Sequence, residues 1–151
     1  MSPSLPPIAE LLPQRGAMRL LDRVLAHDAE ATRCAVEPGA SALFREADGR
    51  LPAWLAVEYM AQCAAVDGAL RMRVAEEGVP PRQGLLLGSR RLSFRQPWLD
   101  FERGLEVTAR CASARGRRFA FDCALRDADG GAPLAEGRLN VLLTDLPEGR
   151  P

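Results

Sequence analysis

The feature that most constrains the fold is the long apolar stretch at residues 52–74, which no proline interrupts after Pro52. Ala, Leu and Met predominate in it, and a proline is tolerated in the first helical turn, so the stretch predicts a helix over residues 53–74. A helix that is apolar on nearly every side is either buried or spans a membrane. Its clearly polar side chains up to residue 70 are Glu58, Gln62 and Asp67. These interruptions, and amphipathic strands on both sides, argue against a membrane span and predict a buried central helix.

Alternating apolar and polar side chains predict strands on both sides of this helix. The predicted strands are Met18–Ala26, Ala31–Val36, Gly84–Phe94, Leu105–Ala112, Arg117–Asp127 and Leu134–Leu143. One helical turn is expected at Ile8–Leu12, and residues 38–51 are predicted to be a loop. The strands after the helix are joined by short turns, which predicts an antiparallel meander. The predicted fold is therefore α+β, with one antiparallel sheet wrapped around one long helix in a single domain over residues 1–151.

Charge and composition argue against several classes of function. Twenty basic and twenty acidic residues give a formal net charge of zero, whereas nucleic-acid binding needs concentrated positive charge. The N-terminus lacks the basic start and apolar stretch of a signal peptide, so we predict a cytoplasmic protein. The cysteines are Cys34, Cys63, Cys111 and Cys123. Because no two are closely spaced, they predict free, mostly buried thiols and no metal site, and no glycine-rich phosphate loop suggests a cofactor.

Glu58 is the most informative polar residue because a carboxylate in an apolar helix costs several kcal/mol unless it is paired or used. Gln62 lies one turn later on the same face, and the small side chains of Ala65 and Ala69 continue that face. This arrangement leaves room for a ligand or a neighbouring subunit. From the residues alone, a functional carboxylate and a structural ion pair to an arginine are equally open interpretations.

A second acidic residue of the helix, Asp67, has a simpler explanation. Arg71 follows it by four residues, which is the spacing of an ion pair along one face of a helix. We therefore predict a structural pair for Asp67 and Arg71.

Two segments resemble a known enzyme family. The segment from Leu11 to Leu25, LLPQRGAMRLLDRVL, is similar to the N-terminal signature of the β-hydroxyacyl-acyl-carrier-protein dehydratases. The segment PAWLAVEYMAQ, at residues 52–62, resembles their central-helix signature, and Leu92–Phe94 with Arg95 and Pro97 resembles the strand after that helix. The amino-acid sequences of these segments are most similar to those of the dehydratase-like branch associated with aryl polyene clusters. The resemblance implies a hot-dog fold, usually paired into a dimer.

The resemblance also implies a chemistry for individual residues. In this family the carboxylate at the position of Glu58 works with a histidine of the partner subunit on a 3-hydroxyacyl thioester, carried by acyl carrier protein or coenzyme A. A backbone N–H at the start of the helix polarises the thioester carbonyl, and Ala53 stands at that position. The predicted catalytic residue is Glu58, and the predicted substrate-binding residues are Ala53, Trp54, Gln62 and Phe44.

The chain departs from the family pattern at its histidines. Phe44 stands at the spacing where the family has its catalytic histidine, and Gln14 replaces the N-terminal one. The single histidine, His27, lies at the end of a predicted strand, where it is expected to be solvated. Glu58 therefore has no base partner visible in its own chain.

Three functions stay open. They are a dehydratase with altered chemistry, a non-catalytic or half-catalytic partner of a dehydratase subunit in a mixed dimer, and a hot-dog thioesterase or acyl-binding protein. Genes for carrier proteins and ketosynthases next to this one would favour the first two. The arginine-rich segments around residues 71–73, 90–91 and 115–118 allow either docking of an acidic carrier protein or an ordinary solvated surface.

Overall fold

The computed structural model describes residues 4–37, 42–75, 83–99 and 104–144. Its helices are α1 (Ile8–Leu11) and α2 (Leu55–Ala75), with short 3-10 turns at Gly16–Met18 and Ala42–Phe44. Its strands are β1 (Arg23–His27), β2 (Ala31–Val36), β3 (Leu51–Pro52), β4 (Gln83–Phe94), β5 (Trp98–Leu99), β6 (Leu105–Arg115), β7 (Arg118–Asp127) and β8 (Ala135–Thr144). The predicted turn near residue 8 and the predicted second strand are confirmed. The predicted loop at residues 38–51 lies partly outside the described residues.

The central helix is the core of the structure, as predicted. Leu55, Tyr59, Cys63 and Val66 are fully buried, and most of α2 packs against the inner face of the sheet. The helix begins two residues later than predicted because Pro52 belongs to β3 instead of the first helical turn. β3 pairs with β5, and this two-stranded ribbon closes the N-terminal end of α2.

The main sheet has six antiparallel strands in the order β1-β2-β6-β7-β8-β4. Strands β6, β7 and β8 form the predicted meander, but β4 pairs with β8 and β2 pairs with β6. The prediction of one continuous meander after the helix is therefore wrong for β4. Local turn signals cannot specify a strand pairing of this kind, because β4 and β8 are neighbours in the sheet but are separated along the chain by the long strands β6 and β7.

The first predicted strand is wrong over its first half. Residues 18–22 carry no strand, and β1 starts only at Arg23. The backbone of Met18 and Leu20 is hydrogen-bonded to the side chain of Gln62 on α2 instead of to another strand. This segment is therefore held against the helix, and the buried side chains of Leu20 and Leu21 produce the apolar pattern that suggested a strand.

Candidate active site at the start of the central helix

The start of α2 carries the predicted site residues. Trp54, Glu58 and Gln62 follow one another at intervals of four, so they share one face of the helix. Along this face burial increases: Trp54 is 57% exposed, Glu58 is half-buried and Gln62 is 1% exposed. The carboxylate of Glu58 therefore lies at the boundary between solvent and core.

Gln62 holds the Glu58 carboxylate and the N-terminal segment together. Its Oε1 accepts a hydrogen bond from the N–H of Leu20 at 2.9 Å, and its Nε2 donates to the carbonyl of Met18 at 2.9 Å. The same Nε2 donates to Oε1 of Glu58 at 3.2 Å. Because both amide hydrogens are used, Gln62 has no donor left for a substrate in this arrangement. Its geometry is that of a residue that positions Glu58, and direct substrate contact by Gln62 stays a prediction.

The N–H of Ala53, predicted to polarise a thioester carbonyl, is hydrogen-bonded in this structure. It donates to the carbonyl oxygen of Pro97 at 2.9 Å. The first backbone bonds of the helix are those from Ala56 to Ala53 and from Val57 to Trp54. The N–H groups of Trp54 and Leu55, which lie between Ala53 and Ala56 in the sequence, have no backbone acceptor among the described residues. The role of the Ala53 N–H as the donor to a thioester carbonyl stays a prediction, since this N–H is engaged by Pro97.

Phe44 packs beside the same helix start. Its ring meets that of Trp54 edge to face, with 6.3 Å between the centroids. Neighbouring Leu43 is 65% exposed. Phe44 and Trp54 thus form an apolar surface one helical turn before Glu58. The five predicted residues therefore lie around the start of the helix. Phe44 contacts Trp54, and Glu58 contacts Gln62. Ala53 precedes the first helical turn.

Sequence reasoning missed the segment that completes this site. The loop after α1 supplies the backbone groups bound by Gln62, and Oε1 of Gln14 in the same loop is buried with no hydrogen-bond partner among the residues that the structure describes. The LLPQR motif carried the signal, because it resembles the N-terminal signature of the dehydratase family. It did not indicate which helix residue the loop contacts.

A second polar cluster lies further along α2. Asp67 is fully buried and accepts hydrogen bonds from Thr32 Oγ1 at 2.7 Å and Arg71 Nε at 2.6 Å, so the predicted pair with Arg71 is confirmed. Nδ1 of His27 lies 2.7 Å from Thr32 Oγ1 and 3.6 Å from Asp67. The expectation that His27 is solvated is wrong, since its side chain is only 15% exposed.

The cysteines are free, as predicted, and three of the four are buried. Sγ of Cys63 lies 3.8 Å from Sγ of Cys34 in the core, and burial raises the pKa of the Cys63 thiol well above its usual range. A thiol held protonated in this way is a poor nucleophile and metal ligand. In the described part of the chain, no group of three or more His, Cys, Asp or Glu side chains has the geometry to hold a metal ion.

Comparison with known protein families identifies the family to which this chain belongs. The family model of the ApeP-like dehydratases matches residues 6–148. The chain belongs to the ApeP-like dehydratase family. A chain of the dehydratase heterocomplex ApeI:P from Xenorhabdus doucetiae is similar over 94% of this chain and 93% of that one, with 25% identity and a TM-score of 0.85. The hot-dog fold, and its dehydratase-like type, are thereby confirmed.

Solved structures with lower similarity to the chain include thioesterases. Zebra fish thioesterase superfamily member 2 is 14% identical, with a TM-score of 0.62 and 91% of each chain covered. A mutant of thioesterase PA1618 from Pseudomonas aeruginosa is 17% identical, with a TM-score of 0.56, covering 82% of this chain and 81% of that one. These likenesses show the fold alone. None of the curated proteins compared with the chain matches it. Over the described residues, every helix is too short or too polar to cross a membrane.

Proposed function

We propose that this chain is one subunit of a mixed dehydratase dimer that converts 3-hydroxyacyl thioesters, on acyl carrier protein or coenzyme A, into 2-enoyl thioesters. One observation carries the proposal. Glu58 is held at the solvent boundary by Gln62, but the only histidine of the chain belongs to a different cluster. Asp67, which contacts His27, follows Glu58 by nine residues, or about 13 Å along the helix. His27 is therefore not available as the base for Glu58, and a related subunit has to supply one.

The proposed reaction divides general acid and base between the two subunits. A histidine of the related subunit removes the proton at C2 of the acyl chain. The carboxyl group of Glu58 gives its proton to the hydroxyl at C3, so that the C–O bond breaks, water leaves and a C2–C3 double bond forms. Backbone N–H groups at the start of α2, with Ala53 as the predicted donor, stabilise the negative charge that develops on the thioester oxygen. Phe44 and Trp54 are proposed to contact the acyl chain.

The similarity to a chain of a heterocomplex supports a mixed assembly, since the ApeI:P dehydratase contains two different subunits by its description. A cleft between subunits would also bring a histidine of one chain to a carboxylate of the other. The working form is therefore proposed to be a mixed dimer, although isolated chains are expected to form homodimers.

The test compares the isolated chain with the chain co-purified with a related dehydratase subunit from the same genome. We expect the homodimer to dehydrate 3-hydroxyacyl thioesters about 10²–10⁴-fold more slowly than the mixed dimer, because it lacks the general base. In the mixed dimer, Glu58→Gln is expected to lower the rate by a similar factor without preventing assembly. The matched control is Glu136→Gln, the same change at an exposed glutamate on the other face of the sheet.

Two results would contradict the proposal. Rapid turnover by the unmodified homodimer, abolished by Glu58→Gln, would establish an enzyme that works with one carboxylate. Unchanged activity and unchanged partner binding in the Glu58→Gln mixed dimer would make the carboxylate structural.

A thioesterase is the second candidate, because the single histidine of the chain belongs to another cluster and the Glu58 carboxylate could activate water for attack on the thioester. The same samples discriminate between the two reactions. Hydrolysis releases a free thiol, whereas dehydration keeps the thioester and creates the conjugated double bond. Thiol release by the homodimer that depends on Glu58 would favour the thioesterase.

A further inference from the structure

The outer face of the sheet, which is turned away from α2, carries two adjoining cavities. They share a floor that consists of Ser113 on β6, Ala120 on β7 and Asn140 on β8. The neighbours of the last two along their strands, Phe121 and Leu139, are buried, so the floor side chains point away from the core. Because these side chains are small, the floor leaves open space above the sheet.

Arginines stand on both sides of this floor. The first cavity has a volume of about 430 Å³ and is also lined by Arg90, Arg91 and Arg138. The second has a volume of about 220 Å³ and is also lined by Arg115 and Arg118. We call the two cavities, with these five arginines and the shared floor, the outer groove. Its size is that of a site for a small molecule.

The positive charge of the outer groove is only partly neutralised. Arg138 makes a two-point ion pair with Asp122, at 2.8 and 3.0 Å, but no acidic side chain of the described residues lines either cavity. Four arginines of the groove make no hydrogen bond or ion pair in the described part of the chain, and these are Arg90, Arg91, Arg115 and Arg118. The groove therefore has free hydrogen-bond donors for an anionic ligand.

The backbone holds these arginines in arrangements that are unfavourable without a ligand. Arg90 lies directly opposite Arg138 in the ladder of β4 and β8, and Arg115 lies opposite Arg118 in the ladder of β6 and β7. Like charges in directly opposed positions destabilise a sheet. Arg91 also has a left-handed backbone conformation, with a φ of 55°, which is uncommon for a residue with a side chain. An anion between the arginines would remove the repulsion.

The spacing of the arginines indicates a ligand with several linked phosphate groups. The planar fork of a guanidinium group matches two oxygens of a phosphate. Arg138 and Leu142, which pairs with Arg118, are four residues apart on β8, or about 13 Å. A single phosphate contacts arginines on one side of the floor, whereas a chain of phosphates approaches both sides. The hydroxyl of Ser113 and the amide of Asn140 supply neutral donors between them.

The second cavity has an apolar wall in addition to its arginines. Leu87, Phe119 and Val141 line it, and the side chain of Leu87 is 54% exposed. Phosphate groups do not need such a wall, but a planar base packs well against apolar side chains and against guanidinium planes. The outer groove thus suits the phosphate chain of a nucleotide as well as a free polyphosphate.

We propose that the outer groove binds a polyphosphate anion, either free or as the phosphate chain of a nucleotide. The groove and α2 lie on opposite faces of the sheet, so this site is separate from the one at Glu58. The inference does not rest on the proposed function. The ligand would connect the edge strand β4 to the hairpin of β6 and β7, and its binding would weaken as salt concentration rises.

The experiment is calorimetric titration of the 151-residue chain with sodium tripolyphosphate, in the absence of any thioester. We expect saturable binding. The double variant Arg90→Gln/Arg118→Gln removes one guanidinium group from each side of the outer groove, and it is expected to bind about tenfold more weakly or worse. Urea denaturation of the same variant is expected to show at least the stability of the wild type, because a repulsion between opposed charges is relieved.

The control double variant Arg23→Gln/Arg33→Gln removes two arginines that are paired with Glu37 and Glu106 outside the outer groove. It is expected to bind tripolyphosphate within about twofold of the wild type. Equal losses in the two double variants, or wild-type affinity in the groove variant, would overturn the inference. So would sulfate binding as tightly as tripolyphosphate, or no saturable binding of tripolyphosphate and ATP up to about 1 mM.

Titration with ATP distinguishes the two sources of the phosphate chain. ATP that binds more tightly than tripolyphosphate, with the same loss in the groove variant, supports a nucleotide that uses the apolar wall. ATP that binds no more tightly than tripolyphosphate supports a free polyphosphate. Turnover of a 3-hydroxyacyl thioester is not measured in these titrations, so failure of the proposed function leaves their outcome unchanged.

Discussion

His27 shows how one side chain is defined by its hydrogen-bond partners. The single hydroxyl hydrogen of Thr32 is donated to Asp67, so Nδ1 of His27 has to donate to the Thr32 oxygen. Neutral His27 therefore carries its hydrogen on Nδ1 and a lone pair on Nε2. The groups that face this ring are Asp67 and Arg71 from α2 and Asp28 from its own strand end.

Stability is expected to depend on the protonation of His27. Burial lowers the pKa of His27 below its ordinary value of 6.5, although the negative charge of Asp67 opposes this effect. At pH values between the folded-state pKa of His27 and 6.5, the unfolded chain binds more protons than the folded protein does. The contribution of neutral His27 to the free energy of unfolding is therefore complete above pH 6.5 and is lost as the pH falls through this range. We expect the free energy of unfolding in urea to be lower at pH 5.5 than at pH 7.5.

The matched control for this prediction is His27→Asn, which keeps a donor close to the position of Nδ1 but does not titrate. Because His27 is the only histidine, the difference between the two proteins isolates its contribution. The same pH dependence in both would show that His27 does not contribute.

At the scale of elements, β4 and β8 approach each other unusually closely at Gly137. A Cβ atom at this position would lie 3.0 Å from Cδ1 and 3.1 Å from Cα of Leu92. Leu92 follows Arg91, whose left-handed conformation belongs to the irregular stretch of β4. The irregular pairing of β4 at this point thus requires a residue without a side chain on the neighbouring strand.

We expect Gly137→Ala to lower the free energy of unfolding by about 1–3 kcal/mol, because the backbone of Leu92 has to move. Gly88→Ala is the matched control in the same strand pair, where a Cβ would meet no atom within 4 Å. It is expected to be neutral or slightly stabilising, since alanine restricts the unfolded chain. Urea denaturation of both variants checks the prediction, and equal effects would contradict it.

At the scale of the whole molecule, the sheet ends in two edge strands, β1 and β4. Strand β4 carries the exposed side chains Leu85, Leu86 and Leu87, which are 40%, 44% and 54% accessible. A long apolar edge promotes association of strands unless a partner covers it. We infer that β4 is the edge through which this chain pairs with another hot-dog subunit.

The corresponding prediction is that Leu86→Lys shifts the protein from dimer to monomer, because a charge at a buried edge pairing is costly. Leu25→Lys makes the same change on the other edge strand, where Leu25 is 36% exposed, and is expected to leave the dimer intact. Light scattering at micromolar concentration distinguishes the two states. A wild type that is already a monomer, or dissociation by Leu25→Lys alone, would contradict the assignment of the edge.

The amino-acid sequence by itself determined the features that depend on near neighbours. Apolar composition over some twenty residues predicts α2, because such a segment has to be buried wherever the rest of the chain lies. Alternation predicts the extent of β2, and the i,i+4 spacing predicts the pair of Asp67 and Arg71. The helix motif around Glu58 added the hot-dog fold through its resemblance to the dehydratase family, and the match to the family model agrees with it.

Only the tertiary structure decided how these elements meet. Gln62 binds the backbone of Leu20 across 42 positions, and Thr32 donates to Asp67 across 35. The N–H of Ala53 donates to the carbonyl oxygen of Pro97 beside the paired strands β3 and β5. Strand β4 pairs with β8 although β6 and β7 lie between them in the sequence. Buried polar groups require partners, but which distant group satisfies them depends on packing of the whole chain and leaves no local pattern in the sequence.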